Sequence, residues 1–362
     1  MGEPIRIDVA TPSRGYTVWV GSGVLRQLPA LLDQVGLGPR RFVISTPPVW
    51  KHWGGTVREV MPDIEPIPVP DGERFKTLAQ VSEVYDALLR ANADRQSAVV
   101  TLGGGVIGDL AGFAAATFMR GIGLAHAPTT LLAQVDASIG GKVGVNLPGG
   151  KNLVGAFYQP WVVAIDPDVL STLPRREFRS GLYEVIKYGM ACSRDLYDVI
   201  LRDLSAISRR APEALTPVIA SCCRIKAGVV ALDERDAGAR EVLNFGHTAG
   251  HALESVTRYQ RFLHGEAVAY GMMVAADVAA GRSMLSSANH SALTSLITKL
   301  GPLPAVSDLF TRPILEQMRH DKKVRDGRLR LILPTDIGAT VTVDDVSDLE
   351  VKDALVRCGV GA

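Results

Sequence analysis

The sequence predicts an α/β domain followed by a mainly helical one, and three observations carry that expectation. Short, continuous apolar runs alternate with helical spacing as far as Ile165, the pattern of a parallel sheet covered on both faces. One run, Ser97 to Leu102, passes straight into G-G-G-V-I-G-D at 103–109, a glycine-rich strand-to-helix turn. Beyond Pro174 the apolar spacing is helical almost throughout.

At 362 residues the chain is long enough for two domains, each with its own core. The expected division is an α/β nucleotide-binding domain over residues 1–172 and a helical domain over 173–362, with Val169 to Pro174 as the hinge. Hydrophobic residues make up 47% and charged residues 21%, which excludes disorder as the default. Lysine and arginine total 39 against 38 acids, so net charge gives no reason to expect a nucleic-acid partner. Cys192, Cys222, Cys223 and Cys358 show no C-x-x-C spacing and read as reduced thiols of a cytoplasmic protein. Met1 to Ser13 lacks the apolar stretch of a secretory signal. The longest apolar run, Ala267 to Ala276, is far short of the roughly 20 residues that span a bilayer and reads as a buried helix, so no membrane partner is expected.

Taken in order, Ile5 to Val9 and Tyr16 to Val20 read as strands around turn residues, and Val24 to Val35 as a helix. Arg41 to Ser45, Ile64 to Val69 and Ser97 to Leu102 are apolar strands, the last two separated by a helix from Thr77 to Ala93. Gly103, Gly105 and Gly108 then satisfy G-x-G-x-x-G before a small-residue helix from Leu110 to Phe118, which makes the first half Rossmann-like. A plain βα turn whose glycines serve packing remains the alternative. No acid lies about 20 residues beyond the glycines to hold a ribose, but Asp71 and Glu73 follow the strand ending at Val69. The segment from Arg120 to Pro160 reads as a packed, glycine-rich loop region whose Arg120, Asp136, Lys142, Asn146, Lys151 and Asn152 suit an anion site. Trp161 to Ile165 gives the last strand of this half.

In the second half, helices are expected at Arg179 to Met190, Pro212 to Leu232, the histidine stretch, Ser291 to Leu300 and Arg312 to Asp321, then a strand at Arg328 to Pro334. The histidine stretch, Asn244 to Met272, holds three of the seven histidines. His247 and His251 are four apart and share one helical face; His264 follows in H-G-E-A-V. Three imidazole nitrogens and one carboxylate oxygen would suit a borderline ion such as zinc, while an isolated pair at this spacing also occurs as cap or core residues. Glu184, embedded in apolar neighbours three residues before Lys187, is the candidate oxygen donor. Lys226 and Arg240 add cations.

Together, D-G-E-x-x-K, G-G-G-V-I-G-D, P-T-T-L-L-A-Q-V-D-A-S-I-G-G-K, G-K-N-L-V-G-A-F, E-V-I-K-Y-G, L-N-F-G-H-T-x-G-H-A and H-G-E-A-V closely resemble 3-dehydroquinate synthase, in family order from about residue 70 to 335. The resemblance implies a tightly held NAD, one divalent metal ion (zinc or cobalt), a homodimer, and an active site in the cleft between the two domains. The substrate it implies is a phosphorylated sugar acid, 3-deoxy-D-arabino-heptulosonate 7-phosphate. That substrate is transiently oxidised, loses phosphate, is re-reduced, opens and closes by an intramolecular aldol step.

Carried over by motif, Glu184, His247 and His264 are the implied metal ligands, and His251 moves to the substrate side. NAD is assigned to Asp71, Gly72, Glu73, Arg74, Phe75 and Lys76 and to Gly105, Val106, Ile107, Gly108 and Asp109. It is also assigned to Thr129, Thr130, Lys142, Lys151, Val169, Leu170, Ser171 and Thr172. Substrate falls to Arg120, Asp136, Lys142, Asn152, Lys187 and Lys226, and to Arg240, Asn244, His251, Lys322 and Lys323. Val143, Tyr183, Ala249 and His126 depart from common residues beside these positions. The loop after the strand Arg41 to Ser45 reads S-T-P-P and lacks the acid often found there. The alternatives are another sugar-phosphate cyclase, a metal- and NAD-dependent polyol-phosphate dehydrogenase, and a metal-dependent hydrolase whose glycine turn is structural only.

Overall fold

The computed structural model describes residues 2–64, 66–319 and 329–362. The chain divides into two compact units, Met1–Pro174 with Arg210–Arg235, and Arg175–Arg209 with Asp236–Ala362.

The first unit is built on a seven-stranded sheet: β1 (Ile5–Val9), β2 (Tyr16–Val20), β3 (Arg41–Ser45), β4 (Pro66–Pro68), β5 (Ala98–Gly103), β6 (Gly123–Pro128) and β9 (Val162–Ile165). Their order is β1-β2-β9-β6-β5-β3-β4, parallel except for β1 against β2. Every residue of β5 is buried, as continuous apolar runs require when both faces are covered. One face packs α3 (Leu78–Arg90) and α4 (Gly105–Thr117) in a core that includes Val84, Leu88, Leu110 and Leu124. The other packs α1 (Leu28–Gln34) and α2 (Pro47–Val60) in a core that includes Leu28, Leu32, Val57 and Val100. Burying each such side chain contributes roughly 1.5–3 kcal/mol. The chain steps from β3 to β4 on one side and to β5 on the other, so the glycine turn after β5 lies at the switch point of the sheet.

Several expectations change here. The helix after the glycine turn begins at Gly105, five residues before Leu110. Residues 120–160 hold β6, a π-turn at Ala133–Ala137, and a hairpin of β7 (Lys142–Leu147) and β8 (Gly150–Phe157), where a loop was expected. S-T-P-P is the end of β3 and the start of α2, with Ser45 closing the strand, Thr46 at the N-cap and proline in the first turn. The expected hinge is a 3-10 turn, Pro167–Thr172.

Helix α7 (Pro212–Leu232), which the sequence reading placed in the second domain, belongs to the first unit. It packs on β1, β2 and the π-turn, where Cys223 Sγ donates to the Gln134 carbonyl at 3.4 Å. Among the described residues it is also the helix long and apolar enough to cross a membrane by length and composition, with 50% of the relevant window buried. Its packing gives that apolar surface a place in the core.

The second unit contains α5 (Arg175–Cys192), α6 (Arg194–Ser208), α8 (His247–Val256), α9 (His264–Gly281), α10 (Ser287–Lys299), α11 (Thr311–Arg319) and α12 (Asp348–Arg357). It is not purely helical, because β10 (Leu331–Asp336) pairs antiparallel with β11 (Ala339–Val343). Helix α9 is apolar nearly all round and sits centrally, against α5, α8, α10, α12 and β10. Helices α6 and α12 were not anticipated from the sequence.

Candidate metal centre and nucleotide site

In the second unit, three helices bring the histidines and Glu184 together. Gly246, at φ 77°, caps α8, and His247 is the helix's first residue. A side chain at Gly271 would place its Cβ 1.7 Å from the Gly246 carbonyl oxygen, so α8 and α9 approach as only glycine permits. At the other end of α9, a Cβ on Gly265 would fall 1.9 Å from the Ser180 carbonyl of α5. Gly265 N–H instead donates to Ser180 Oγ at 3.0 Å. Glu266, fully buried, accepts from Arg176 Nε at 2.8 Å and Nη2 at 2.7 Å and caps Leu263 N–H at 2.9 Å. These contacts fix α9, with His264 as its first residue, onto the helix that carries Glu184.

One nitrogen from each of His247, His251 and His264 lies within 4.8 Å of the others. Glu184 Oε1 stands 3.5 Å from His264 Nε2 and 3.8 Å from His247 Nε2. Two ligands of a tetrahedral zinc at ordinary bond lengths are roughly 3.4 Å apart, so these spacings suit a shared ion. Lys187 Nζ lies 2.5 Å from Glu184 Oε2 and balances its charge. Even so, neither Glu184 oxygen has a partner with hydrogen-bonding geometry among the described residues, although the side chain is fully buried. Buried carboxylate oxygens that lack hydrogen-bond donors are costly, and a bound cation would offset that cost.

The Nδ1 of His247 faces the Phe245 carbonyl at 3.1 Å, and the Nδ1 of His264 faces Glu254 Oε2 at 3.2 Å. Burial pulls the His264 pKa down, but the hydrogen bond and charge of Glu254, with the charge of Glu184, outweigh it and leave the pKa raised. The expected substrate groups Lys187 and Arg240 are buried in this unit, and Asn244 and His251 are half-buried there. The His251 ring centroid is 5.3 Å from that of His247 and 5.8 Å from that of His264. Lys322 and Lys323 lie outside the described residues.

In the first unit, the expected nucleotide residues gather at the carboxyl ends of β4, β5, β6 and β9. Thr129 N–H donates to the Gly103 carbonyl at 2.9 Å, which sets the end of β6 beside the glycine turn. A Cβ on Gly104 would come 2.9 Å from Thr130 Cγ2. Thr129 Oγ1 is buried with no hydrogen-bond partner among the described residues, an acceptor and donor available to a ligand. The turn Asp71–Lys76 sends buried Lys76 into an ion pair with Asp109, and its Nζ also donates to Asn152 Oδ1 at 2.6 Å. Burial raises the Asp109 pKa, against the opposing charge and hydrogen bond of Lys76. Glu73 Oε1 accepts from Asn146 Nδ2 at 2.7 Å. Lys142 and Lys151 lie on the hairpin, and Val169 to Thr172 in the turn after β9, where Thr172 Oγ1 accepts from Trp53 Nε1 at 2.9 Å.

Asp136 and Lys226 also meet here: Lys226 Nζ donates to the Asp136 carbonyl at 2.6 Å and to Oδ1 at 2.7 Å. Arg120 and Asn152 adopt left-handed backbone, at φ 69° and 53°. Asn152 is thus tied to the nucleotide set through Lys76 as well as being an expected substrate group. Two departures find structural reasons. Val143 packs on α4, where a Cβ on Gly112 would meet its Cγ1 at 2.5 Å. His126 is buried on β6 with Nδ1 2.8 Å from Thr101 Oγ1, and burial pushes its pKa down to about 4. A cavity of about 230 Å³, lined by Ser45, Thr46, Trp50 and Lys51 among others, opens at the ends of β3 and β4.

Sequence reasoning did not single out Glu254, Glu266 or Arg176. Glu254 closes H-A-L-E in the histidine stretch, but no spacing rule links it to His264 ten residues later across a loop.

Family models described as 3-dehydroquinate synthase N-terminal and 3-dehydroquinate synthase C-terminal match residues 66–180 and 181–324. A 3-dehydroquinate synthase of Koribacter versatilis is 46% identical, covering 97% of this chain and 97% of its own. That of Synechocystis is 45% identical, covering 96% and 99%. Among solved structures, the 2-epi-5-epi-valiolone synthase ValA of Streptomyces hygroscopicus, with NAD+ and Zn2+ bound, aligns at TM-score 0.88 and 28% identity over 96% of this chain and 98% of that one. A 2-deoxy-scyllo-inosose synthase complexed with carbaglucose-6-phosphate, NAD+ and Co2+ aligns at 0.87 and 27% over 98% and 99%. The chain belongs to the 3-dehydroquinate synthase family.

Proposed function

We infer that the chain converts 3-deoxy-D-arabino-heptulosonate 7-phosphate to 3-dehydroquinate and phosphate, with NAD and one divalent ion, zinc or cobalt, as cofactors. The observation that carries this reading is the meeting of Glu184 with His247 and His264 in a chain 46% identical over nearly its whole length to a 3-dehydroquinate synthase. When bound, the ion acidifies a substrate hydroxyl and NAD takes up and returns its hydride.

The chain's own residues bind, balance charge and orient. Glu184, His247 and His264 would hold the ion, and Lys187 Nζ pairs with the buried carboxylate at 2.5 Å. His251, beside both histidines, donates to substrate oxygen. Lys226, held by Asp136, offers charge and donors with Arg120 and Lys142 in the first unit, and Arg240 and Asn244 do so in the second; groups of this kind suit a substrate bearing both a carboxylate and a phosphate. Holding both anionic ends keeps an intermediate oriented through several steps. In the nucleotide set, the glycine turn and helix N-terminus would hold a pyrophosphate, and the Thr129 hydroxyl would offer it a buried donor and acceptor. The cavity beside Trp50 would hold the adenosine, with Ser45 and Thr46 where an acid is common in the family.

The enzyme is further read as a cytoplasmic homodimer without nucleic-acid or membrane partners; near-balanced charge gives no reason to expect a nucleic-acid partner. Phosphate release without net NADH formation, dependent on added metal, is its test.

A further inference from the structure

We propose that Glu254 is the positioning residue of the metal centre: by accepting a hydrogen bond from His264 Nδ1, it turns Nε2 of that ring toward Glu184. The inference rests on the metal reading above. A carboxylate only accepts, so the 3.2 Å contact between Glu254 Oε2 and His264 Nδ1 places a proton on Nδ1, and in the neutral ring that a metal ligand must be the lone pair is then on Nε2. That Nε2 is the atom 3.5 Å from Glu184 Oε1. His247 is oriented in the same sense, its Nδ1 donating to the Phe245 carbonyl at 3.1 Å and its Nε2 facing Glu184. The two rings differ in what holds them: His247 has a backbone carbonyl that no substitution removes, whereas His264 depends on a side chain. Glu254 is 5% exposed and stands on α8, while His264 opens α9, so the contact also spans the loop between the helices. A partner of this kind fixes both ring direction and tautomer, and its loss typically weakens metal binding by about 10–100-fold.

The experiment measures cobalt affinity of the purified full chain by competition with a chromophoric chelator, alongside the visible cobalt spectrum and the melting temperature of each metal-free protein. Glu254→Ala is expected to bind cobalt tens of times more weakly than wild type with an altered spectrum, and Glu254→Gln, which keeps an acceptor oxygen, to bind within several-fold of wild type. Glu254→Ala that is folded and binds within threefold of wild type overturns the inference, as does Glu254→Gln that binds as weakly as Glu254→Ala. Should Glu254→Ala not fold, the nitrogen-15 shifts of His264 in zinc-loaded wild type decide: a protonated Nδ1 and metal-bound Nε2 support the inference, and the reverse assignment overturns it. Wild-type protein that takes up no cobalt overturns the metal reading itself and the inference with it, an outcome distinct from the variant results.

Discussion

Glu184 Oε1 lies 3.5 Å from His264 Nε2, although the two residues stand far apart in the chain, on α5 and at the start of α9. With His247 Nε2 at 3.8 Å from the same oxygen, the carboxylate is common to both rings. Glu184→Gln, His247→Ala and His264→Ala are each expected to lose bound metal, read by elemental analysis after desalting. His251→Ala keeps most of its metal and loses rate. An empty site in His251→Ala would contradict the division of roles.

The close approach of α9 to its neighbours gives a stability prediction. Gly271→Ala would force a Cβ to within 1.7 Å of the Gly246 carbonyl, and the backbones must separate. The expected loss is about 3 kcal/mol or more, with metal binding lost too. Gly228→Ala in α7 is the control, because nothing lies within 4 Å of its added Cβ. It should be neutral or stabilise by about 0.5–1 kcal/mol. Urea unfolding of the two variants checks the contrast.

Thr129→Val tests the nucleotide assignment. The hydroxyl has no hydrogen-bond partner among the described residues, so its removal should leave the melting temperature unchanged or raised. NAD affinity should fall about 5–10-fold, the value of one lost hydrogen bond. Unchanged NAD affinity by titration calorimetry would remove Thr129 from the cofactor site.

His126 sets a pH dependence of stability. Its pKa is pushed down to about 4 in the folded chain from 6.5, so the unfolded chain binds the extra proton between those values. Stability from the neutral buried ring is complete above 6.5 and lost as pH falls toward 4, by about 3 kcal/mol in all. His126→Gln should flatten that slope in unfolding curves taken from pH 7 to 4; an equal slope would show that other groups set it.

Much of this was legible in the sequence where local chemistry states it. The apolar strands, the glycine turn after Leu102 and the helical spacing of His247 and His251 each carry their own signal. Less legible were elements whose residues read two ways. Thr46 followed by two prolines looks like a loop yet is an N-cap and first turn. The glycines between Lys142 and Phe157 look flexible, but Gly144 and Gly155 lie where added Cβ atoms would strike the facing strand's carbonyls at 2.6 and 2.4 Å, so they allow the hairpin to close. Chain order placed α7 with the second domain because nothing in an apolar helix names the surface it packs on. Glu254 was hidden for the same reason, since its meaning comes only from the fold that returns His264 to it.

The proposed reaction is a phosphate-eliminating cyclisation in which NAD is regenerated within each turnover. Phosphate release from 3-deoxy-D-arabino-heptulosonate 7-phosphate, followed together with absorbance at the NADH band, tests it most directly. Steady phosphate release with no net NADH is expected, abolished by chelator and restored by zinc or cobalt. Steady accumulation of NADH, or undiminished turnover after NAD is removed, would contradict it.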